Sequence, residues 1–468
     1  MKLGNVVLPS RGSTTSWDII VEHGHVSSIQ PSQQQQQQQR QRTAHHDGER
    51  NHPPSLLIPP LCHPHVHLDK PYILTCNHVS TSPAHPSYSD LEPQSGSFSE
   101  ALSNTSKAKE RYTEQDLYLR GSQLLATSYA QGVTSLRAYV ELDHVTGTLP
   151  LVTAIRLKSD FSHLMQVQIC AFAQDPIFST EHGETNRFII TEALQDYGHS
   201  IDVLGTTPYV EESTEASHQN IEWAISTAMG HGLHLDFHLD YNLKSPSLSE
   251  PLTYSVVEFL QKHRWIDVAD KSKTIVLGHC TQLSVLPDAD LRKLADSIIS
   301  SKLPIHFVGL PTSDLFMMGR PDAGSLSHSR LRGTLQVPSM IKDLGLSVCM
   351  GMNNVGNAFT PYGTGDPLQL ASWGVGIYQA GTVDDARILY ECVSQRARQA
   401  IGLASDDLSG DIVEGQEWKP MLRLENPEAL QLPAVAGGVP LKIEARPRLT
   451  FKDVVWDPPE VRLRSVVP

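Results

Sequence analysis

Leu233-His234-Leu235-Asp236-Phe237-His238-Leu239-Asp240 alternates without a break, with leucine or phenylalanine at one parity and histidine or aspartate at the other. On a β-strand successive side chains point to opposite faces, so this stretch has one apolar face and one face of four ionisable groups. An exposed edge strand would leave the polar face in water. A strand buried on both faces must instead supply partners for those groups, because an unpaired buried charge is costly or shifts its pKa. The surrounding pattern favours burial. Short apolar, β-branched runs recur at residues 57–67, 134–140, 167–172, 202–205, 233–239, 274–278, 304–308 and 346–350, with helical patterns such as 116–131 and 219–229 between them. Eight strands alternating with helices predict an α/β fold, a (β/α)8 TIM barrel, with a doubly wound sheet as the competing architecture.

Outside that rhythm the chain changes character. Residues 3–30 hold two β-rich runs around Gly24 and predict a hairpin. The glutamine run 33–39 has nothing apolar to bury and predicts a disordered surface insertion. Residues 81–105, rich in Ser, Pro, Gly and His, fit a long loop after the first barrel strand. From Leu408 onward, short β-like runs such as Pro440-Leu441-Lys442-Ile443 are expected to join the N-terminal strands in a small β-domain made from both chain ends. The expected organisation is a β-module over 1–50, the barrel over 51–404, and a C-terminal segment over 405–468 that completes the small domain.

The formal net charge is −14, with acidic and basic residues interspersed, which argues against a nucleic-acid or membrane-surface partner. The first residues lack a basic-then-apolar leader pattern, and no apolar run is long enough to cross a bilayer. The six cysteines show no C-x-x-C pairing and read as reduced and buried, so the cytoplasm is the expected location. A small-molecule substrate is the expected partner; a homo-oligomer is compatible with the sequence.

The chemistry gathers in three places. Cys62-His63-Pro64-His65-Val66-His67-Leu68-Asp69 ends the first predicted barrel strand, and alternation puts His63, His65, His67 and Asp69 on one face. Two imidazoles at that spacing can reach one divalent ion at ~2.0–2.1 Å, and barrel sites sit at the strands' C-terminal ends. As a lone H-x-H the motif would read equally well as a polar strand end. The second place is the alternating stretch at 233–240, where a metal and the groups around it would satisfy the polar face. The third is His279, just past the sixth run in Leu277-Gly278-His279-Cys280.

In this order the three motifs resemble the amidohydrolase superfamily, and within it the bacterial-type cytosine deaminase branch, over about residues 57–403. Gln168-Ile169-Cys170-Ala171-Phe172-Ala173-Gln174, Gly205-Thr206-Thr207-Pro208-Tyr209-Val210-Glu211, Met318-Gly319-Arg320 with Arg332-Gly333, and residues 351–361 add to the likeness. The resemblance implies one divalent metal ion, zinc first with iron or manganese as alternatives, held by His65, His67, His238 and the residue at 353. It implies that His279 assists at the bound water or substrate, and that Gln174 hydrogen-bonds a ring. Deamination or amide hydrolysis of a small cyclic nitrogenous compound is then the expected reaction. Two positions depart from the pattern. The eighth-strand aspartate is Asn353, and the proton-shuttling glutamate is Tyr241. An amide is no general base at neutral pH, and a phenol of reference pKa near ~10 is a poor substitute for a carboxylate. Asp240 or Asp236 is the expected replacement base, with His279 as the acid. The other reading is a catalytically silent relative that binds a small molecule or regulates.

Overall fold

A computed structural model describes residues 1–32, 53–76, 83–321, 328–403, 410–434 and 438–468; the glutamine run lies outside the described residues. The chain opens with β1 (Lys2–Val7), β2 (Trp17–Glu22), β3 (His25–Pro31) and β4 (Ser55–Ile58). β2 and β3 form the expected hairpin, turning at His23 and Gly24, both with positive φ. Pro59 and Pro60 then separate β4 from the barrel strands β5 (Leu61–His67), β6 (Val133–Glu141), β7 (Gln166–Ala173), β8 (Val203–Thr206), β9 (His234–Leu239), β10 (Ile275–His279), β11 (Ile305–Gly309) and β12 (Val348–Met350).

These eight strands pair in sequence order, each parallel to the next. The ring closes between β12 and β5 through Asn353, whose N–H donates to His65 O and whose carbonyl accepts from His67 N–H, both at 2.9 Å. The expected barrel is therefore present, and the side-chain parity explains it. Leu136, Ala138 and Val140 of β6, Ile169, Ala171 and Ala173 of β7, and Leu235, Phe237 and Leu239 of β9 pack into the main core with residues of the surrounding helices. Residues of the other parity turn inward: Cys62, Val276, Val308 and Cys349 cluster together, as do Tyr139, Cys170, Phe172 and Val203. The helices start and stop where local chemistry requires. Helix Glu114–Gln131 is capped by the Thr113 side chain and stopped by left-handed Gly132, and helix Thr214–His231 by Ser213 and Gly232.

A second sheet is built from both chain ends, in the order β16-β13-β4-β1-β2-β3, where β13 is Met421–Leu424 and β16 is Arg464–Val467. β16 is also tied to the barrel: the Arg464 guanidinium donates to both carboxylate oxygens of Asp366 at 2.8 Å and to Gln131 O at 3.3 Å.

Four expectations need correction. The apolar run at Leu57 and Ile58 belongs to β4 of the chain-end sheet, because two prolines without N–H groups interrupt pairing before β5. The segment at Pro440–Ile443 does not join that sheet; Leu441–Glu444 (β15) pairs with Ala429–Leu432 (β14) in a separate hairpin. The stretch 81–105 is not all loop, since Ser97 caps a helix at Phe98–Lys109. His63 does not share a face with His65. The register shifts between His63 and Val66, Cys62 faces inward, and His63 Nε2 hydrogen-bonds Ser128 of the outer helix at 3.2 Å. Pro64 cannot donate to the ladder, which is where a strand bulges. The six cysteines form no disulfide, and among the described residues no helix is long and apolar enough to cross a membrane.

Candidate metal centre

β5, β9 and the β12–β5 closure converge at the C-terminal mouth of the barrel. His65, His67 and His238 are buried there with donor atoms within 4.8 Å of one another, a convergence that no other His, Cys, Asp or Glu group among the described residues matches. The His65 ring stacks with those of Tyr139 (centroids 4.0 Å) and His238 (4.5 Å). Gly278 of β10 makes that approach feasible, since a Cβ there would lie 3.1 Å from His65 Cε1. Burial holds the imidazoles of all three histidines well below the usual pKa, and the neighbouring His279 and Lys70 push the same way. They are neutral at physiological pH, the state a metal ligand needs.

Both ring nitrogens of His65, Nε2 of His238 and Oδ1 of Asn353 are buried and make no hydrogen bond. Buried polar atoms are rarely left so. Three neutral imidazoles and one amide oxygen form a donor set suited to a single divalent ion, so these residues fit the implied group. Asn353 is buried with φ +60, a left-handed conformation that asparagine tolerates better than most residues.

The polar face of β9 divides by depth. His234, at the first residue, accepts from Thr274 N–H at 2.9 Å. Asp236 accepts from Arg137 (3.0 Å) and from the Tyr139 hydroxyl, and burial raises it to about 6 against the pull of Arg137. His238 opens onto the cluster. Asp240 has positive φ, and its carboxylate accepts from Leu252 N–H (2.8 Å), Thr253 N–H (3.0 Å) and Thr253 Oγ1 (2.6 Å), capping helix Leu252–Lys262. The base role expected for Asp240 therefore meets a geometric objection, since both its oxygens are engaged by a helix start; Asp236 is held through Oδ2 by an arginine and a phenol, with Oδ1 buried and unbonded.

A carboxylate that sequence reasoning missed pairs with His279. His279 donates from Nδ1 to Asp314 Oδ1 at 2.7 Å, and Asp314 Oδ2 accepts from Thr334 Oγ1 at 2.8 Å. Asp314 lies in helix Pro311–Met317, just after β11, and is fully buried. With Nδ1 engaged by Asp314, the His279 ring lies 5.2 Å from that of His238. Tyr241 packs edge-on to His279 (5.4 Å) and donates its hydroxyl to Asp314 O at 3.1 Å, while burial drives its pKa upward. The phenol stays neutral and braces the His279–Asp314 pair. Gln174 follows β7 at the mouth, 6% exposed, with no hydrogen bond to its Nε2. Lys70, directly after the Leu68-Asp69 turn, is also buried and is paired with Glu141.

Neither a family model nor a curated protein sequence matches the chain significantly. Solved structures do. The chain aligns with 5-methylcytosine deaminase of Klebsiella pneumoniae liganded with 5-fluorocytosine at a TM-score of 0.70 and 19% identity, covering 91% of each chain. It aligns with N-isopropylammelide isopropylaminohydrolase of Burkholderia multivorans at 0.63 and 18%, again over 91% of each. An adenosine deaminase of Xanthomonas campestris with bound zinc aligns at 0.51 and 12%, over 90% of this chain and 85% of that one. At these identities the likeness establishes a shared fold, a (β/α)8 barrel with an accompanying β-sheet.

Proposed function

We propose that this protein is a metal-dependent hydrolase of the amidohydrolase superfamily, close to the cytosine deaminase branch, acting on a carbon–nitrogen bond of a small cyclic nitrogenous compound. The observation that carries the proposal is the set of buried, neutral, unbonded donors His65, His67, His238 and Asn353 at the barrel mouth, next to a histidine–aspartate pair. The solved deaminases and aminohydrolase that share the fold support the same reading.

His65, His67 and His238 would hold the ion, with Asn353 Oδ1 as a fourth protein donor; zinc suits these donors, and iron or manganese would also be accepted. When bound, the ion supplies Lewis acidity and makes water a better nucleophile at neutral pH. The remaining work belongs to the chain. Asp314 fixes the Nδ1–H tautomer and the ring orientation of His279. His279 Nε2 takes the proton of the attacking water and returns it to the departing nitrogen. Tyr241 and Thr334 keep Asp314 in place, and Gln174 Nε2 donates to a ring acceptor. The chain thus handles protons without the carboxylates that the family pattern puts at positions 353 and 241. The cytoplasm is the compartment we propose for it.

A second reading, a catalytically silent binding or regulatory relative, is favoured by those same two replacements. Metal content and turnover of the purified protein separate the two. The hydrolase should hold about one ion per chain and turn over at least one member of a panel of pyrimidines, triazines and lactams. Asn353→Asp should bind the ion more tightly and retain or raise turnover. A wild type that holds metal yet is inert, with Asn353→Asp active, would support the silent relative. Absence of metal from both would overturn the metal-centre reading itself.

A further inference from the structure

β14 and β15 stand apart from both larger sheets, yet their residues alternate as a half-buried strand pair would. In the register Ala429↔Glu444, Leu430↔Ile443, Gln431↔Lys442 and Leu432↔Leu441, directly opposed residues share a face. One face is therefore Leu430, Leu432, Leu441 and Ile443, and the other Ala429, Gln431, Lys442 and Glu444. The faces are turned the unexpected way round. Ala429, Lys442 and Glu444 line a cleft together with Pro53 and Pro447, and Lys442 pairs with Glu428 at 3.2 Å. The four aliphatic side chains point away from that cleft and are 45–57% exposed; Val439, just before β15, is 89% exposed.

The hairpin is fixed at its base. Asn426 Nδ2 donates to Pro54 O (2.7 Å) and Arg448 O (3.0 Å), and its Oδ1 accepts from Arg448 N–H at 2.8 Å. A two-stranded hairpin is marginal in water unless its apolar face is covered. That face carries no charge and no hydrogen-bonding side chain, so a two-fold copy of itself is a complementary partner. The whole chain is at −14, which sets copies against one another, but Glu428, Lys442, Glu444 and Arg446 cancel around the hairpin. Two copies can therefore approach here with little repulsion, whereas an acidic chain gains nothing from an anionic lipid surface. The size agrees: the five exposed aliphatic residues offer on the order of 500 Å², so a face-to-face pair covers on the order of 1,000 Å², the lower bound of a specific interface. The opposite face is polar and borders its own chain, so pairing stops at two.

We infer that the apolar face of the β14–β15 hairpin is the contact surface of a two-fold homodimer, in which Leu430, Leu432, Leu441 and Ile443 of each copy pack face to face. The inference is independent of the proposed reaction, since none of these residues belongs to the metal centre.

Sedimentation equilibrium of the full-length protein from about 1 to about 100 µM reads the contact, because an interface this small should dissociate in the micromolar range. Wild type should pass from the mass of one chain toward twice that mass across the series. Leu432→Glu/Ile443→Glu puts acidic groups into the face and should weaken the dimer at least about 100-fold, with circular dichroism unchanged. Gln431→Glu, on the opposite face, should dimerise as wild type does. Leu432→Lys/Ile443→Lys should also be monomeric alone, and an equimolar mixture with the glutamate variant should recover the dimer through opposite charges across the two-fold. That recovery rules out misfolding as the cause of the loss. A wild type that is monomeric throughout the series overturns the inference. So does a glutamate variant that dimerises as tightly as wild type, or a mixture that stays monomeric. A monomeric wild type that sediments with phosphatidylcholine vesicles would assign the face to a lipid surface and overturn it as well.

Discussion

His234 and His238 lie on one strand, on one face, four residues apart, and are both buried, yet their surroundings assign them opposite work. His234 sits at the N-terminal end of β9 and accepts a hydrogen bond from Thr274 N–H. His238 sits at the C-terminal end, where its Nε2 meets no protein partner and two other histidines converge on it. Between them Asp236 is held by Arg137 and Tyr139. The polar face of the strand thus finds protein partners at His234, Asp236 and Asp240, while the Nε2 of His238 is left open to the cluster. Histidine content on a buried face is not a functional signal by itself; the absence of an internal partner is.

Substitution of each histidine should break this comparison most visibly. His238→Ala should drop metal content from about one ion per chain to near zero and reduce turnover more than about 1000-fold, because an incomplete donor set neither retains nor positions the ion. His234→Ala should keep the metal and most of the turnover, and instead lower unfolding free energy by about 2–4 kcal/mol through a lost buried hydrogen bond and a cavity. Elemental analysis, steady-state rates and urea denaturation on the two variants read all of this. Metal loss in His234→Ala would erase the distinction.

Asp314→Asn should give the next largest effect. The amide can turn its N–H₂ toward His279 and favour the wrong tautomer, so turnover should fall about 100-fold with metal content unchanged. If turnover is unaffected, His279 works without Asp314 and the proton route proposed above is wrong.

The smallest effect is on acid stability. Burial first, and Arg137 second, hold the His234 imidazole down to about 2, while in the unfolded chain it titrates near its ordinary value. A group whose folded pKa is depressed binds its proton in the unfolded state first. Its neutral form therefore costs nothing above about pH 6.5, and stability is lost as pH falls from there toward 2, by about 1.4 kcal/mol per pH unit. In metal-stripped protein, His234→Gln should flatten the slope of unfolding free energy between pH 6 and 5 by about that amount. An unchanged slope would mean that His234 is protonated in the folded state.

Much of the barrel was legible because each strand writes its own local signature. Runs such as 134–140 and 167–172 are apolar at one parity from Leu136 to Val140 and from Val167 to Ala171, and they fall within β6 and β7. The convergence of His65, His67 and His238 matches the ligand set that the family resemblance implied; alternation alone left His234, Asp236, His238 and Asp240 on one face. What escaped was information that no local window holds. Asp314 meets His279 across the gap between β11 and β10, and no spacing rule links the two; its place right after the seventh strand was the only available hint. Asp240 shared the parity of His238, but the helix start at Leu252 captured its carboxylate. His63 was misread for a local reason that was available, since Pro64 within the strand announces a bulge.

The chain-end sheet carries a consequence for how the molecule is made. β4 lies between β1 and β13, so Leu56, Leu57 and Ile58 wait with one edge open until Met421–Leu424 has been synthesised. All eight barrel strands leave the ribosome before that edge is covered. An unpaired strand edge is a template for adventitious pairing. During synthesis the nascent chain therefore carries an unpaired edge at β4, and pairing of Met421–Leu424 is the step that closes it.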